Sequence, residues 1–327
     1  MHNPKRHFLQ AVEEQIESSL KWDHKVSFSA EPTLFAAARH LCLAKGAKRA
    51  RPKLVYFLSQ TLDTDQSLLV DVAVTSEFIH NASLLHDDVI DNGTIRRGNP
   101  TVNVVWDELT AVLAGDILLS ESIRRLIHCP RVIAQEALQL VSDMTKATML
   151  EAHIRNKTNV SIDQWNFIAN GKTASMFSWC GRSVGHLANE KKIIQCFGDF
   201  GKHFGLAFQM ADDLIDIFPL ESGKTPFADL QNRNPSYPMI IAQQLSSSFS
   251  SDLSKAWKKD TLSEAEIAKL GKAILSTGAA DYTYEQIQKE IQLAIEALDE
   301  FIDLPGCKVV VEWALSMCYR FQKSEAV

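Results

Sequence analysis

Two short stretches of this chain carry three carboxylates each at a spacing suited to metal chemistry. They are Asp87-Asp88-Val89-Ile90-Asp91 and Asp212-Asp213-Leu214-Ile215-Asp216. Both read Asp-Asp-x-x-Asp, and both lie in apolar, helix-like sequence. On a helix, Asp87 and Asp91 are i,i+4 neighbours and Asp88 and Asp91 are i,i+3 neighbours, so the three side chains share a face. The second stretch repeats that geometry. Unpaired carboxylates held so close repel one another and resist burial. Hard oxygen donors of this kind suit Mg²⁺, which keeps part of its water and bridges to phosphates. Two facing clusters would clamp a diphosphate through several metal ions. One copy alone would fit a solvated helix face, because acidic residues usually sit outside.

The elements that must carry these groups are helices. Ser161-Ile162-Asp163-Gln164, Ser263-Glu264-Ala265-Glu266 and Thr283-Tyr284-Glu285-Gln286 are capping-box patterns, each leading into apolar-periodic sequence. After the last, Ile287, Ile291, Ala294, Ile295 and Leu298 recur at helical spacing. No run of alternating strand character stands out. Pro and Gly punctuate between the helical stretches. Two loops follow the acidic stretches: 92–101, with Gly93, Arg96, Arg97, Gly98 and Pro100, and 219–238, with Gly223, Pro226 and Pro235. The second is long for a compact domain, as lids over bound ligands often are. No low-complexity linker divides the chain, so 1–327 reads as one all-α domain.

Composition narrows the partners. The 34 basic and 40 acidic residues leave a formal net charge of −6, which argues against nucleic acid. Six scattered cysteines, Cys42, Cys129, Cys180, Cys196, Cys307 and Cys318, include no Cys-x-x-Cys pair and suit buried, reduced thiols of a cytoplasmic protein. Residues 1–10 lack the apolar core of a signal peptide. No uninterrupted apolar run is long enough to cross a bilayer.

Further motifs fall in order around the two acidic stretches. Upstream is Lys45-Gly46-Ala47-Lys48-Arg49-Ala50-Arg51-Pro52. His86 precedes the first cluster, and Arg96-Arg97-Gly98 follows it. Gly171-Lys172-Thr173-Ala174 lies in the middle. Phe208-Gln209-Met210-Ala211 leads into the second cluster, then Gly223-Lys224 and Asp229-Leu230. Together these resemble the trans-isoprenyl diphosphate synthases (polyprenyl synthetases), over nearly the whole chain and most like the bacterial long-chain, octaprenyl-type members. The resemblance implies the isoprenoid synthase fold, a bundle of long antiparallel helices around a central cavity, usually as a homodimer. It implies isopentenyl diphosphate and an allylic diphosphate as substrates, with Mg²⁺, three ions per site, as cofactor.

Roles then follow residue by residue. Asp87, Asp91 and Asp212 would hold Mg²⁺ against the leaving diphosphate, with Asp88, Asp213 and Asp216 completing or supporting the site. Arg96, Lys172 and Lys224 would add fixed positive charge to the same phosphates. Lys48, Arg51 and Arg97, with His80, would grip isopentenyl diphosphate without metal, since the arginine fork matches phosphate oxygens in pairs. The Thr173 hydroxyl and the Gln209 amide oxygen would face the allylic cation. The departing pyrophosphate can take the final proton. His86 reads as structural support, and the tryptophans read as core.

One departure stands out. Where the family usually shows Gly-Lys-x-Thr after Asp229-Leu230, this chain has Arg233-Asn234-Pro235-Ser236. A lid cation is missing unless Arg233 replaces it, which implies weaker diphosphate binding or slower turnover. Product length is read from the residues five and four before Asp87, Ala82 and Ser83, both small. They would leave a tunnel open towards a medium- to long-chain product, with Phe78 as a possible floor. Geranylgeranyl or farnesyl diphosphate is the alternative product. A terpene cyclase is disfavoured by the intact second cluster, and a non-catalytic synthase subunit is favoured only by Asn234. An apolar long-chain product must reach a membrane, which suits transient surface contact for its release.

Overall fold

The computed structural model describes residues 4–21, 31–60, 62–218 and 227–319. The chain forms two compact units. The first comprises Met1–Val141, Trp179–Gly198 and Asp303–Cys307, and the second Ser142–Ser178, Asp199–Ile302 and Lys308–Val327. Both are helical, and the one ladder among the described residues is a two-strand hairpin.

The first unit is organised on the helix Gln66–Ile90. The Asp65 carboxylate starts it by accepting the Ser67 N–H at 2.8 Å. Val72, Ala73, Val74, Phe78, Ile79, Ala82 and Leu85 are buried on it, so it is apolar nearly all round, as a central helix is. By length and hydropathy it is the one described helix that could cross a bilayer, yet 72% of that apolar window is packed inside the protein. Its main neighbour is the helix Glu108–Arg125. The His86 ring lies over Gly115, where a β-carbon would lie 2.2 Å from His86 Nε2. His86 bonds the Val112 carbonyl at 3.1 Å, which makes it the structural support expected. Past Asp91 the chain turns into the hairpin Ile95–Arg96 with Asn99–Pro100. Arg97 and Gly98 form its tip at φ 52° and 76°, the left-handed pair that tight hairpins require.

In the second unit, the start of the helix Ser175–Ala188 and the later turns of the helix Lys191–Asp216 meet backbone to backbone. A β-carbon on Gly201 would sit 2.3 Å from the Phe177 carbonyl oxygen, and one on Gly205 would sit 2.5 Å from the Ala174 Cα. Phe177, Phe204 and Trp313 pack beside this seam, at centroid distances of 4.8 and 5.0 Å.

Two expected boundaries change. The capping boxes at Ser161 and Ser263 form, but the one at Thr283 does not. The helix Ala279–Ala297 begins just after Gly278, whose φ of 81° ends the preceding helix and lets the next one start early. Thr283 is therefore buried inside it, and its hydroxyl donates to the Ala279 carbonyl at 2.7 Å. The expected long loop 219–238 is shorter. Residues 219–226 lie outside the described set, but Ala228–Gln231 is a helical turn and Tyr237–Leu245 is a helix. All six cysteines are buried with free thiols. Burial pushes Cys42 and Cys180 up to about 12, so both are unreactive at neutral pH.

Candidate active site

In the first unit the three carboxylates of the Gln66–Ile90 helix part ways. Asp87 is half-buried and Asp91, the helix C-cap, is exposed. Asp88 is 3% exposed and turned inward. Its Oδ1 accepts from the Arg96 guanidinium, at 2.8 Å from Nε and 2.7 Å from the terminal nitrogen. The Asp88 backbone carbonyl takes the Gly93 N–H at 2.8 Å. Asp88 thus ties the hairpin to the helix. Burial raises its carboxyl, against the pull of Arg96. Arg96, expected on a phosphate, is held by Asp88 instead.

The basic residues upstream converge with His80. Arg51 and Arg97 act electrostatically on His80, and burial is the largest of the influences that hold its imidazole well below its ordinary value. His80 is therefore neutral at pH 7 and can serve as a hydrogen-bonding group rather than a cation. Lys48 lies at the exposed edge. The sequence reading missed the group that holds these cations together. Glu77, 2% exposed, forms an ion pair with Arg49 and acts on Arg51 and Arg97 as well. Arg49 is buried at φ 48° and bonds Glu13 Oε1 at 2.6 Å, Glu13 Oε2 at 2.8 Å and the Cys42 carbonyl at 2.7 Å. A glutamate within the apolar run from Val72 to Ile79 was the available signal, since a buried charge needs a partner.

In the second unit Lys172 and Thr173 sit on a π-helical turn, Asn170–Ala174, between two α-helices. Such turns insert one residue into the ladder and are common at functional sites. Lys172 forms an ion pair with Glu151. The Thr173 hydroxyl donates to Gln209 Oε1 at 2.8 Å, and Gln209 Nε2 donates to Asp213 Oδ1 at 2.9 Å. Asp213 Oδ2 takes the Trp165 indole N–H at 2.8 Å and the Tyr237 backbone N–H at 2.9 Å. Burial pushes the Asp213 carboxyl up to about 6, although these donors pull it down. With its oxygens on protein donors, Asp213 supports the site from behind. Asp216 accepts the N–H groups of Ala228 and Asp229, both at 3.0 Å, and so fixes the turn that follows. Asp212 is half-buried on the same helix. Lys172, Thr173, Gln209, Asp213 and Asn234 line a cavity of about 150 Å³. Lys224 lies outside the described residues.

Arg233 does not replace the missing lid cation. Its guanidinium is bound to the carbonyls of Trp257, Lys259 and Asp260, at 3.1 Å for Trp257 and 2.9 Å for Asp260. Asn234 reaches Asp229 at 3.4 Å, and burial with the charges of Asp216 and Asp213 raises the Asp229 carboxyl well above its usual range. An Asn234→Lys variant would set an ammonium beside that carboxyl. It is expected to lower KM for the allylic diphosphate about 3- to 10-fold, as one added favourable charge contact would. Unchanged steady-state constants would show that position 234 does not limit the reaction.

Of the chain-length candidates, Phe78 and Ala82 have no exposed surface, whereas Ser83 is half-buried and donates to the His80 carbonyl at 2.8 Å. Ser83 is thus the one of the three that a growing chain could touch without repacking the core.

Among the described residues no three acidic, His or Cys side chains form a ready-made metal cage. Acidic oxygens shared with substrate phosphates are what Mg²⁺ takes, because it keeps several waters and uses one or two carboxylates. Asp87, Asp91 and Asp212 are candidates for that use; Asp88 and Asp213 already accept from Arg96 and from three N–H donors.

An all-helical chain with two such acidic faces and a separate arginine–histidine cluster has the make-up of an isoprenoid synthase. Residues 31–274 match the family model "Polyprenyl synthetase", and the chain belongs to that family. A prenyl transferase of Cyanidium caldarium is 27% identical over 321 residues, 96% of this chain and 98% of that protein. The (2E,6E)-farnesyl diphosphate synthase of Mycobacterium tuberculosis is 29% identical over 261 residues, 76% of this chain and 72% of that one. The crystal structure of a decaprenyl diphosphate synthase from Rhodobacter capsulatus superposes with a TM-score of 0.88 at 26% identity, covering 96% of both chains. The chain is a prenyltransferase with the isoprenoid synthase fold.

Proposed function

We propose that this protein condenses isopentenyl diphosphate with an allylic diphosphate, head to tail, to make a medium- to long-chain all-trans polyprenyl diphosphate. The observation that carries the reading is the coexistence of two complete acidic motifs with the Arg51, Arg97 and neutral His80 cluster. That cluster supplies forked donors and a neutral ring for a second diphosphate. Mg²⁺, when bound, would neutralise charge on the leaving diphosphate; in the first unit Asp87 and Asp91, and in the second unit Asp212, are the carboxylates suited to hold it. Lys172, on its π-turn and ion-paired with Glu151, sets a cation there. Thr173 and Gln209 present dipoles rather than charges beside it, which suits an allylic cation that must not be trapped. The homodimer and transient membrane contact belong to the same reading, as does a cytoplasmic location.

The test is a product-length assay with labelled isopentenyl diphosphate, Mg²⁺ and dimethylallyl, geranyl or farnesyl diphosphate in turn. A ladder ending at a long chain supports the reading. A stop at twenty carbons replaces it with a geranylgeranyl synthase. No elongation with any primer moves the chain to the subunit role, with Asn234 the first position to change. A Ser83→Phe variant is expected to shorten the main product by at least one isoprene unit. An unchanged ladder would remove Ser83 from the path of the product. Ala82→Phe is the poorer probe, since overpacking a buried alanine costs about 1–3 kcal/mol.

A further inference from the structure

The middle aspartate of the second motif has a geometry that defines a task other than metal binding. Asp213 Oδ2 receives two N–H groups, from the Trp165 indole at 2.8 Å and the Tyr237 backbone at 2.9 Å. Neither donor can act as an acceptor, so that oxygen is locked as an acceptor. Trp165 is itself fixed, its ring meeting Tyr237 edge-on at 4.7 Å and 71°. Asp213 Oδ1 lies 2.9 Å from the Gln209 amide nitrogen. A carboxylate can only accept, so Gln209 must point its nitrogen at Asp213 and its oxygen the other way. That oxygen lies 2.8 Å from Thr173 Oγ1 and draws the single hydroxyl proton of Thr173 towards itself. Thr173 is then left with lone pairs alone to offer any other neighbour.

We propose that Asp213 is a positioning residue: anchored by Trp165 and Tyr237, it sets the direction of the Gln209 amide and thereby makes Thr173 an acceptor towards the reacting allyl group. The inference rests on the prenyl-transfer reading. An oxygen lone pair stabilises a developing allylic cation, whereas a hydroxyl proton pointed at it would oppose it. The polarity of one threonine is thus decided two residues away, through hydrogen bonds alone.

Asn in place of Asp213 makes the test. The two locked donors hold the Asn oxygen where Asp213 Oδ2 was, so the new NH₂ faces Gln209. The Gln209 amide must turn over, present its nitrogen to Thr173 and force the threonine proton elsewhere. Every hydrogen bond in the chain can be remade, and a buried carboxylate is lost, so the Asp213→Asn protein is expected to melt no lower than the parent. Its kcat is nevertheless expected to fall about 10- to 100-fold, with both KM values within about 2-fold. Adding Gln209→Glu restores an acceptor towards Thr173 and a donor–acceptor match to Asn at 213. The double variant is expected to recover kcat to within about 3-fold.

A second readout does not depend on turnover. With ¹⁵N-labelled glutamine, the Gln209 side-chain amide is expected to shift in Asp213→Asn, as its acceptor changes from carboxylate to hydroxyl. An unmoved Gln209 resonance, or a full kcat in Asp213→Asn, overturns the proposal. So does a loss that Gln209→Glu does not recover while the Mg²⁺ half-saturation rises, which would make Asp213 a metal ligand. If the parent protein transfers no prenyl group, the functional reading fails, while the Gln209 resonance still decides the relay.

Discussion

Asp87→Asn is expected to lower kcat/KM by about 10³-fold or more at fixed Mg²⁺, the largest functional loss of any single change here. A metal clamp on a leaving diphosphate is worth several kcal/mol, and about 4 kcal/mol is already about 10³ in rate. Asparagine keeps the size of the side chain and removes its charge, and position 87 is half-buried, so the fold should survive. Asp88→Asn is the informative contrast. Asp88 is spent on Arg96, so its loss should loosen the hairpin and lower the melting temperature more than it weakens metal use. Steady-state rates against Mg²⁺ concentration, with melting curves for both variants, separate the two. If Asp88→Asn shifted the Mg²⁺ dependence and Asp87→Asn did not, the assignment of the two carboxylates would be reversed.

The largest loss of stability is expected from Glu77→Ala. Breaking a buried ion pair by removing one partner costs about 3–5 kcal/mol, because the remaining charge is stranded out of water. The Arg49 ion pair with Glu77 is buried on both sides, and Arg51 and Arg97 also lose a compensating negative charge. Urea unfolding of parent and variant gives the difference directly. A loss under about 1 kcal/mol would mean that Glu13 alone compensates Arg49. The same variant should bind isopentenyl diphosphate less well, since the arginines would no longer be held apart and aimed. Replacing Arg49 and Glu77 together by Met and Leu should recover much of the stability but not the affinity, because apolar pairs often match buried ion pairs in free energy.

The two acidic motifs, the basic element at 48–51 and the all-helical class were legible because each is a local pattern: charge at helical spacing, or a cap before an apolar run. What sequence could not show is which of three similar carboxylates turns inward. Asp88 and Asp91 look equivalent along the chain, and only the hairpin that brings Arg96 back decides between them. Glu77 stayed hidden for the same reason, since its partner Arg49 lies on another element. Thr283 misled because a capping box is a four-residue signal, and a left-handed glycine five residues upstream outranked it. The π-turn at Lys172 has no sequence signature at all. Arg233 looked like a substitute cation by its charge, but three backbone carbonyls compete for it more closely than any phosphate could.

The seam at Gly201 and Gly205 has a further consequence for how this protein can vary. Two backbones in contact leave no side chain whose rotamer could change the spacing between them. The distance from the π-turn to the helix bearing Gln209 is therefore a fixed gauge, insensitive to exchanges among Phe177, Phe204 and their neighbours. Such a gauge lets the aromatic filling of this unit drift in size and shape while the Thr173–Gln209 contact keeps its length. It also marks two positions where even the smallest addition, a methyl group, moves the chemistry and not merely the packing.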